Sequence, residues 1–454
     1  MSWSGLPVVV AGAGTSGEAA ARALLRLGAA VTVVDRAESE RTVALATLGA
    51  SIHIGLAAPP PGTALVVTSP GWRPDALLLL AAQAAGIEVI GEVELAWRLR
   101  GPGAAPWLAL TGTNGKTTTV RMLESMLLAA GLRAVATGNV GLPVVEAVLA
   151  EPAYDVLAVE LSSFQLHWSP SVRPAAAAVL NVSFDHLDWH GSFTAYAAAK
   201  GRIFAGDPVA VFNGDDPGAA RLSVWSRRRV PFTLAMPAPG AVGVRDGMLV
   251  DRAFGAGPDG VELAAVAEVR PAGPHNVANA LAAAALARAH GVPAEAVRDG
   301  LRAFVPDRHR NEPVAYVGGV SYVDDSKATN PHAAAASLTS YPRVVWIAGG
   351  LLKGAPVDDL VSAVGDRLAG AVLLGTDRAA IRDAIGRHAP DLPVVDVART
   401  DDGAMGEVVR AAALLARPGD TVLLAPAAAS IDMFTDYKAR GDAFAAAVRA
   451  LGSG

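Results

Sequence analysis

The sequence predicts an α/β protein of three domains, each built on a doubly wound, mostly parallel sheet. Three observations predict it. Short buried-type runs such as Val8-Val9-Val10-Ala11, Trp107-Leu108-Ala109-Leu110 and Val344-Val345-Trp346-Ile347 alternate with amphipathic or alanine-rich helical stretches. Glycine-bearing loops at 12–17, 111–118 and 349–354 follow such runs, where open parallel sheets bind ligands. A length of 454 residues, at roughly one domain per 150, gives about three domains. Linker-like Gly101-Pro102-Gly103-Ala104-Ala105-Pro106 and the Val305-Pro306 step set the expected domains at 1–103, 104–306 and 307–454.

Composition removes several classes of function. A net charge of −5 with 18% charged residues and no basic stripe argues against a nucleic-acid partner. There is no cysteine, so disulfides and thiolate metal sites are impossible, and the usage fits a reducing cytoplasm. The longest apolar stretch, near residues 76–85, is short of the roughly 20 residues a membrane span needs, and no signal peptide is expected. Of 38 basic residues only five are lysines, at 116, 200, 327, 353 and 438. Where arginine is otherwise used, a retained lysine marks a place that needs a compact ammonium or a nucleophilic amine.

The first domain reads as Rossmann-like. A strand at 8–11, the turn Gly12-Ala13-Gly14-Thr15-Ser16-Gly17, a helix over 18–27 and a strand ending in Asp35 make a GxGxxG fingerprint. The same loop serves any phosphate carried at a helix N-terminus. A strand at 64–68 leads into Ser69-Pro70-Gly71-Trp72, and a further strand is expected at 87–90.

The second domain opens on a phosphate loop, Thr111-Gly112-Thr113-Asn114-Gly115-Lys116-Thr117-Thr118, between an apolar strand and a helix. Backbone N–H groups close around phosphate oxygens, Lys116 supplies a point charge, and Thr117 offers a hydroxyl to Mg²⁺. The common pattern has glycine where Leu110 stands. The strand 155–159 delivers Glu160, a carboxylate where Mg²⁺ is usually held, although a packing role fits the same position. The strand 176–182 ends in Ser183-Phe184-Asp185-His186-Leu187-Asp188-Trp189-His190, a polar cluster at a ligand-binding edge. Lys200 then sits on an alanine-rich helix. Residues 207–270 suggest antiparallel strands, and Asn276 and Asn279 share one face at the start of a helix reaching His290.

The third domain opens on Asp307-Arg308-His309-Arg310-Asn311-Glu312, and a strand at 319–323 yields Asp324-Asp325-Ser326-Lys327-Ala328-Thr329-Asn330. Strands near 344–348, 371–374 and 421–424 alternate with helices. The loops Gly349-Gly350-Leu351-Leu352-Lys353-Gly354 and 425–434 lie at its expected ligand edge.

In this order and with these loops, the chain resembles the Mur ligases of peptidoglycan synthesis along essentially its whole length. The resemblance rests on residues 111–118, 160–166, 181–200, 275–279, 309–312, 325–330, 349–354 and 430–434. It implies an N-terminal Rossmann-like domain for a UDP-linked substrate, a central phosphate-loop domain for ATP, and a C-terminal Rossmann-like domain for an amino acid. It implies that ATP phosphorylates the terminal carboxylate of UDP-N-acetylmuramoyl-L-alanine and that the amine of D-glutamate displaces the phosphate. On that reading Lys116, Glu160, His186 and Lys200 are catalytic; Thr117, Glu160, His186 and Lys200 hold two Mg²⁺ ions, Lys200 as a carbamate. ATP is met by Gly112, Thr113, Asn114, Gly115, Lys116, Thr117 and Thr118, with Asn279, Arg310, Asp325 and Lys327. Gly14, Thr15, Ser16, Asp35, Arg36, Ser69, Pro70, Gly71, Asn139 and His186 take the UDP substrate, and Lys353, Ser430 and Tyr437 hold D-glutamate. The family usually has Phe where Tyr437 stands and often Ser where Ala425 stands. A cytoplasmic monomer without membrane or nucleic-acid partners is expected, and the resemblance implies a part in cell-wall synthesis, cell shape and cell division.

Relatives that add other amino acids, and the folylpolyglutamate synthases, share the phosphate loop and form the nearest alternative. A nicotinamide-dependent dehydrogenase explains the first hundred residues only. A non-catalytic nucleotide-gated module leaves Glu160, His186 and Lys200 without a task.

Overall fold

The computed structural model describes residues 2–255, 257, 259–401 and 403–451. The chain folds as two compact units, Met1–Glu268 with Ala278–Phe304, and Val269–Val277 with Val305–Gly454. Among the described residues, no helix is long and apolar enough to cross a membrane.

The first unit holds two sheets. Strands β1 (Pro7–Ala11), β2 (Ala30–Asp35), β3 (Ser51–Ile54), β4 (Leu65–Thr68) and β5 (Glu88–Gly91) form an all-parallel sheet in the order β3-β2-β1-β4-β5. Valine-rich β1 and β4 are buried because helices cover both faces of a parallel sheet. The predicted helix begins at Thr15 and runs to Arg26, so it takes in the last three residues of the glycine turn.

The second sheet contains β6 (Trp107–Thr111), β7 (Ala134–Gly138), β8 (Val156–Glu160), β9 (Ala176–Val179), β10 (Val209–Asn213), β11 (Arg229–Phe232), β12 (Val242–Arg245), β13 (Met248–Asp251) and β14 (Val261–Ala265). Their order is β14-β13-β12-β11-β10-β9-β6-β8-β7. The antiparallel character expected over 207–270 is confined to β12, β13 and β14; β10 and β11 continue the parallel ladder. The two sheets belong to one compact unit on either side of the 101–106 segment, stitched by buried carboxylates. Glu92 accepts from the Val145 amide at 2.7 Å, and Glu94 accepts from the Ser171 amide at 3.0 Å. The Gly91 amide donates to the Trp168 carbonyl at 2.9 Å.

The second unit is built on β15 (Glu312–Val317), β16 (Val320–Asp324), β17 (Val344–Gly349), β18 (Leu368–Leu374), β19 (Val394–Asp396) and β20 (Thr421–Leu424). The order is β15-β16-β20-β17-β18-β19, parallel except for the β15–β16 hairpin. Chain order reverses around β1, around β6 and around β20. At such switch points the loops leaving the carboxyl ends splay apart and leave a crevice for ligand, and this is where the glycine loops stand.

Candidate active site

The phosphate loop is held open by its own neighbours. Strand β6 is buried throughout, and Gly115 caps the helix Lys116–Ala129 in a left-handed conformation, φ 80°. A Cβ on Gly115 would collide with Asn279 Oδ1, so only glycine lets these two segments approach. Asn181, one residue beyond the strand-like Leu180, clamps the loop from its β9 side. Its carbonyl accepts from the Thr113 amide at 3.0 Å, its Oδ1 from the Asn114 amide at 2.8 Å, and its Nδ2 donates to the Asn114 carbonyl at 3.1 Å. Thr113 Oγ1 lies 2.9 Å from the Tyr196 hydroxyl and accepts from the Ser183 amide at 3.0 Å. Asn181 and Tyr196 carried no assigned role in the sequence; an asparagine directly behind a buried strand was the available signal.

Two lysines converge on one oxygen. Lys116 Nζ donates to the carbonyls of Gly112 at 2.9 Å and Thr113 at 2.8 Å, and Lys200 Nζ donates to the same Gly112 carbonyl at 2.7 Å. Lys200 is 2% exposed. Burial, and secondly the charge of Lys116, pushes its amine well below the ordinary lysine range. The neutral amine is the form that reacts as a nucleophile.

Glu160 ends β8, is 1% exposed, and pairs in register with Leu110 of β6 and Gly138 of β7. Gly138 has φ 103°, and a side chain there would meet the Glu160 carbonyl. That close approach brings the Asn139 amide side chain to Glu160 Oε1 at 2.8 Å. Glu160 Oε2 is buried with no hydrogen-bond partner. An unpaired, buried carboxylate oxygen is costly unless a cation takes it, and the oxygen donor suits Mg²⁺.

His186 stands at φ 51° before the short helix Leu187–His190, its amide donating to Asp185 Oδ1 at 2.9 Å. Its ring packs 4.7 Å from Phe164, and burial lowers its pKa, favouring the neutral imidazole that binds metals. His190 is turned to Ser163 Oγ at 2.9 Å and is pushed down to about 4 by burial. Thr117 follows Lys116 on the first turn.

In the first sheet the carboxyl ends of β1, β2 and β4 gather Gly14, Thr15, Ser16, Asp35, Arg36, Ser69, Pro70 and Gly71 at one edge. Asp35 is occupied by the turn itself, Oδ2 accepting from the Ala13 amide at 2.6 Å and Oδ1 from the Arg36 amide at 2.6 Å. Open space faces the position where a Cβ on Gly14 would lie, and Gly14 gives the helix Thr15–Arg26 no side-chain cap. Its first-turn amides are therefore available to a ligand.

In the second unit, Asp325 is buried and pushed up to about 6 by desolvation, with the Asn311 amide 3.3 Å from Oδ1. His309 Nδ1 is 2.7 Å from Asp324 Oδ2 and its amide donates to Glu312 Oε2 at 2.8 Å. The Asp324 carboxylate thus meets the His309 ring and Glu312 the His309 backbone amide, and ligand atoms of the three side chains lie within 4.8 Å of one another. Arg310 Nε lies 3.7 Å from Asp307, and Lys327 Nζ sits 3.9 Å over the Tyr437 ring. The 349–354 and 425–430 loops join through reciprocal Leu351 and Ala429 amide-to-carbonyl bonds of 2.9 Å. Buried Ser430 is thus adjacent to that bridge, and exposed Lys353, at φ 55°, is two residues beyond it.

Residues 110–287 match the family model of the Mur ligase middle domain, and 309–428 that of the Mur ligase glutamate ligase domain. Over its full length the chain is 59% identical to the UDP-N-acetylmuramoylalanine–D-glutamate ligase of Streptomyces avermitilis, each chain covered at 100%. The chain belongs to the Mur ligase family. A Mur ligase of the same name from Thermobifida fusca is also 59% identical, with 99% of this chain and 100% of the relative covered. That of Mycolicibacterium smegmatis is 53% identical, with 98% and 97% covered. Among solved Mur ligases, the UDP-N-acetylmuramate-alanine ligase of Thermotoga maritima has the same fold, with a TM-score of 0.60 at 19% identity over 99% of this chain and 100% of that one. A pseudomurein peptide ligase from Methanothermus fervidus gives 0.61 at 19% identity, covering 98% and 100%.

Proposed function

We propose that this Mur ligase adds D-glutamate to UDP-N-acetylmuramoyl-L-alanine at the expense of ATP, in the cytoplasmic stage of peptidoglycan synthesis that cell growth and division require. The observation that carries this reading is the full-length 59% identity to relatives of that name. The site chemistry supports it. The γ-phosphoryl group of ATP passes to the alanyl carboxylate, giving an acyl phosphate and ADP. The amine of D-glutamate then attacks the carbonyl, forming the amide, losing a proton and releasing phosphate.

Each part of the chain has a task. The amides of 112–118 and Lys116 neutralise the transferring phosphoryl charge. Glu160 with its unpartnered oxygen, His186 and Thr117 would hold Mg²⁺, which when bound neutralises phosphate oxygens. Lys200 is suited to carbamate formation: its neutral amine bonds to CO₂, releases a proton, and is left carrying a carboxylate beside the metal site. That exchange turns the amine into an oxygen ligand of the kind hard cations take, which would serve a second Mg²⁺. The Gly14–Ser16 turn, Asp35, Arg36, the Ser69-Pro70-Gly71 loop and Asn139 are assigned to the UDP substrate. In the second unit Arg310, Asp325 and Lys327 are assigned to ATP, as is Asn279 in the first. Lys353, Ser430 and Tyr437 are assigned to D-glutamate, whose second carboxylate calls for a cation and hydroxyls.

The test is phosphate release with UDP-N-acetylmuramoyl-L-alanine, ATP and, in turn, D-Glu, L-Glu, L-Ala, L-Lys and meso-diaminopimelate. Turnover only with D-Glu is expected; preference for another amino acid, or NAD binding without binding of the UDP substrate, overturns the reading. For Lys200, a carbamate carbon signal after incubation with isotope-labelled bicarbonate is expected, together with loss of activity in Lys200→Ala and partial rescue by acetate or formate. A fully active Lys200→Ala protein refutes the carbamate.

A further inference from the structure

Arg440 is 1% exposed on the helix Tyr437–Leu451, and among the described residues it forms no ion pair with a carboxylate. Its donors go to oxygens of three separate loops. Nε donates to Ser326 Oγ at 3.0 Å and Nη2 to the Ser326 carbonyl at 2.9 Å. Nη1 donates to the Ala428 carbonyl at 3.1 Å and, at 3.4 Å, to the Gly349 carbonyl. These oxygens lie at or just beyond the carboxyl ends of β16, β20 and β17, three adjacent strands around the switch point of this sheet. Ser326 lies between Asp325 and Lys327, Ala428 two residues before Ser430, and Gly349 four before Lys353.

The surrounding backbone is shaped to the guanidinium. Gly350 has φ 129°, and a Cβ there would come 3.3 Å from Arg440 Nη1 as well as colliding with the Ala429 carbonyl. Ser326 Oγ, having accepted from Nε, donates onward to the Tyr437 carbonyl at 2.8 Å, tying the fork back to the start of its own helix. Burial alone pushes the guanidinium down to about 10, with Asp432 and Asp324 opposing at longer range. Sealing a cation in a sheet edge with no carboxylate in direct contact costs far more than packing a leucine there. What the guanidinium offers in return is a planar fork that satisfies loop carbonyls in fixed directions, which an ammonium does not.

We propose that Arg440 is a positioning residue that sets the three loops of the amino-acid and nucleotide pocket in one arrangement, through carbonyl oxygens and not through substrate. The proposal rests on the assignment of those loops to substrates. It acts through the ground-state geometry of the pocket, so its loss should appear in KM before kcat.

Arg440→Lys keeps the charge and most of the length but loses the fork. Phosphate release should show a rise of about tenfold or more in the KM for D-glutamate, a smaller fall in kcat, and a melting temperature within a few degrees of the parent. Arg440→Ala should regain activity when guanidinium or methylguanidinium is added at low millimolar concentration, and lysine-like methylammonium should do less. An unchanged KM, with activity lost only in proportion to the folded fraction and no response to guanidinium, would overturn the proposal and leave Arg440 a core residue. The parent is first assayed with the whole amino-acid panel and the accepted amino acid is the one titrated. A failure of the D-glutamate assignment then changes the substrate in the tube, and the Arg440 comparison still reads out.

Discussion

Replacing Asn139 by alanine removes the amide that donates to Glu160 Oε1 at 2.8 Å, and leaves a carboxylate that is 1% exposed with neither oxygen hydrogen-bonded by a side chain. A hydrogen bond to a charged group contributes about 1.5–3 kcal/mol. The bond does two things at once: it offsets the desolvation of Glu160 and it fixes the rotamer that aims Oε2. If Glu160 is a Mg²⁺ ligand, Asn139 supports it from behind, and removing such a support costs about 10- to 100-fold in metal affinity. The two estimates agree, since about 1.4 kcal/mol is one factor of ten. Asn139→Ala should therefore shift the Mg²⁺ concentration for half-maximal phosphate release upward by about one to two orders of magnitude at saturating substrates. Mg²⁺-dependent binding of ADP should weaken in parallel. The result that would refute this is an unchanged Mg²⁺ curve with a raised KM for the UDP substrate alone. Asn139 would then serve the muramoyl substrate, as the family resemblance implies, and its bond to Glu160 would be incidental.

Three further outcomes are expected. Burial pushes the Glu92 carboxyl up to about 7 from its ordinary 4.5, so its contribution to stability is complete below pH 4.5 and is lost as the pH rises through 7, a loss of about 3 kcal/mol. Glu92→Gln, being neutral, should match the parent at low pH and exceed it in urea unfolding at pH 8; a variant less stable than the parent at pH 8 contradicts the sign. Gly115→Ala places a Cβ at φ 80° against Asn279 Oδ1, and left-handed strain of about 1–2 kcal/mol plus that collision should weaken ADP binding about tenfold or more in calorimetric titration; parent-like binding would show that the loop tolerates the change. Tyr196→Phe removes the 2.9 Å contact to Thr113 Oγ1 and should cost about 1 kcal/mol in thermal unfolding, while an unchanged melting temperature would mean that the hydroxyl is paid no better than by water.

The sequence by itself determined what is local. Buried strand runs, glycine turns and caps depend on residues within a few positions of one another, so the three glycine loops, the strand-end Glu160 and the helix starts are legible as strings. The scarcity of lysine singled out Lys116 and Lys200, because a planar guanidinium is not exchanged for an amine without consequence. Tertiary structure decided what those residues do to each other. Lys200 is 88 positions from Gly112, and that it shares a carbonyl with Lys116 follows only when β9 is laid beside β6. Asn139 reaches Glu160 because β7 and β8 pair with Gly138 opposite Glu160, a register in which a one-residue slip would turn the side chains to the other face. Asp35 was legible as a strand-end carboxylate expected to meet the UDP substrate; that it also accepts from two amides of the adjoining turns appears only in the fold. Arg440 left no mark in the string at all. An arginine is read from sequence as a solvated or paired charge, and only a fold that closes three loop ends over it makes it a buried fork, because the desolvation and the carbonyls that answer it both come from strands far apart in the chain.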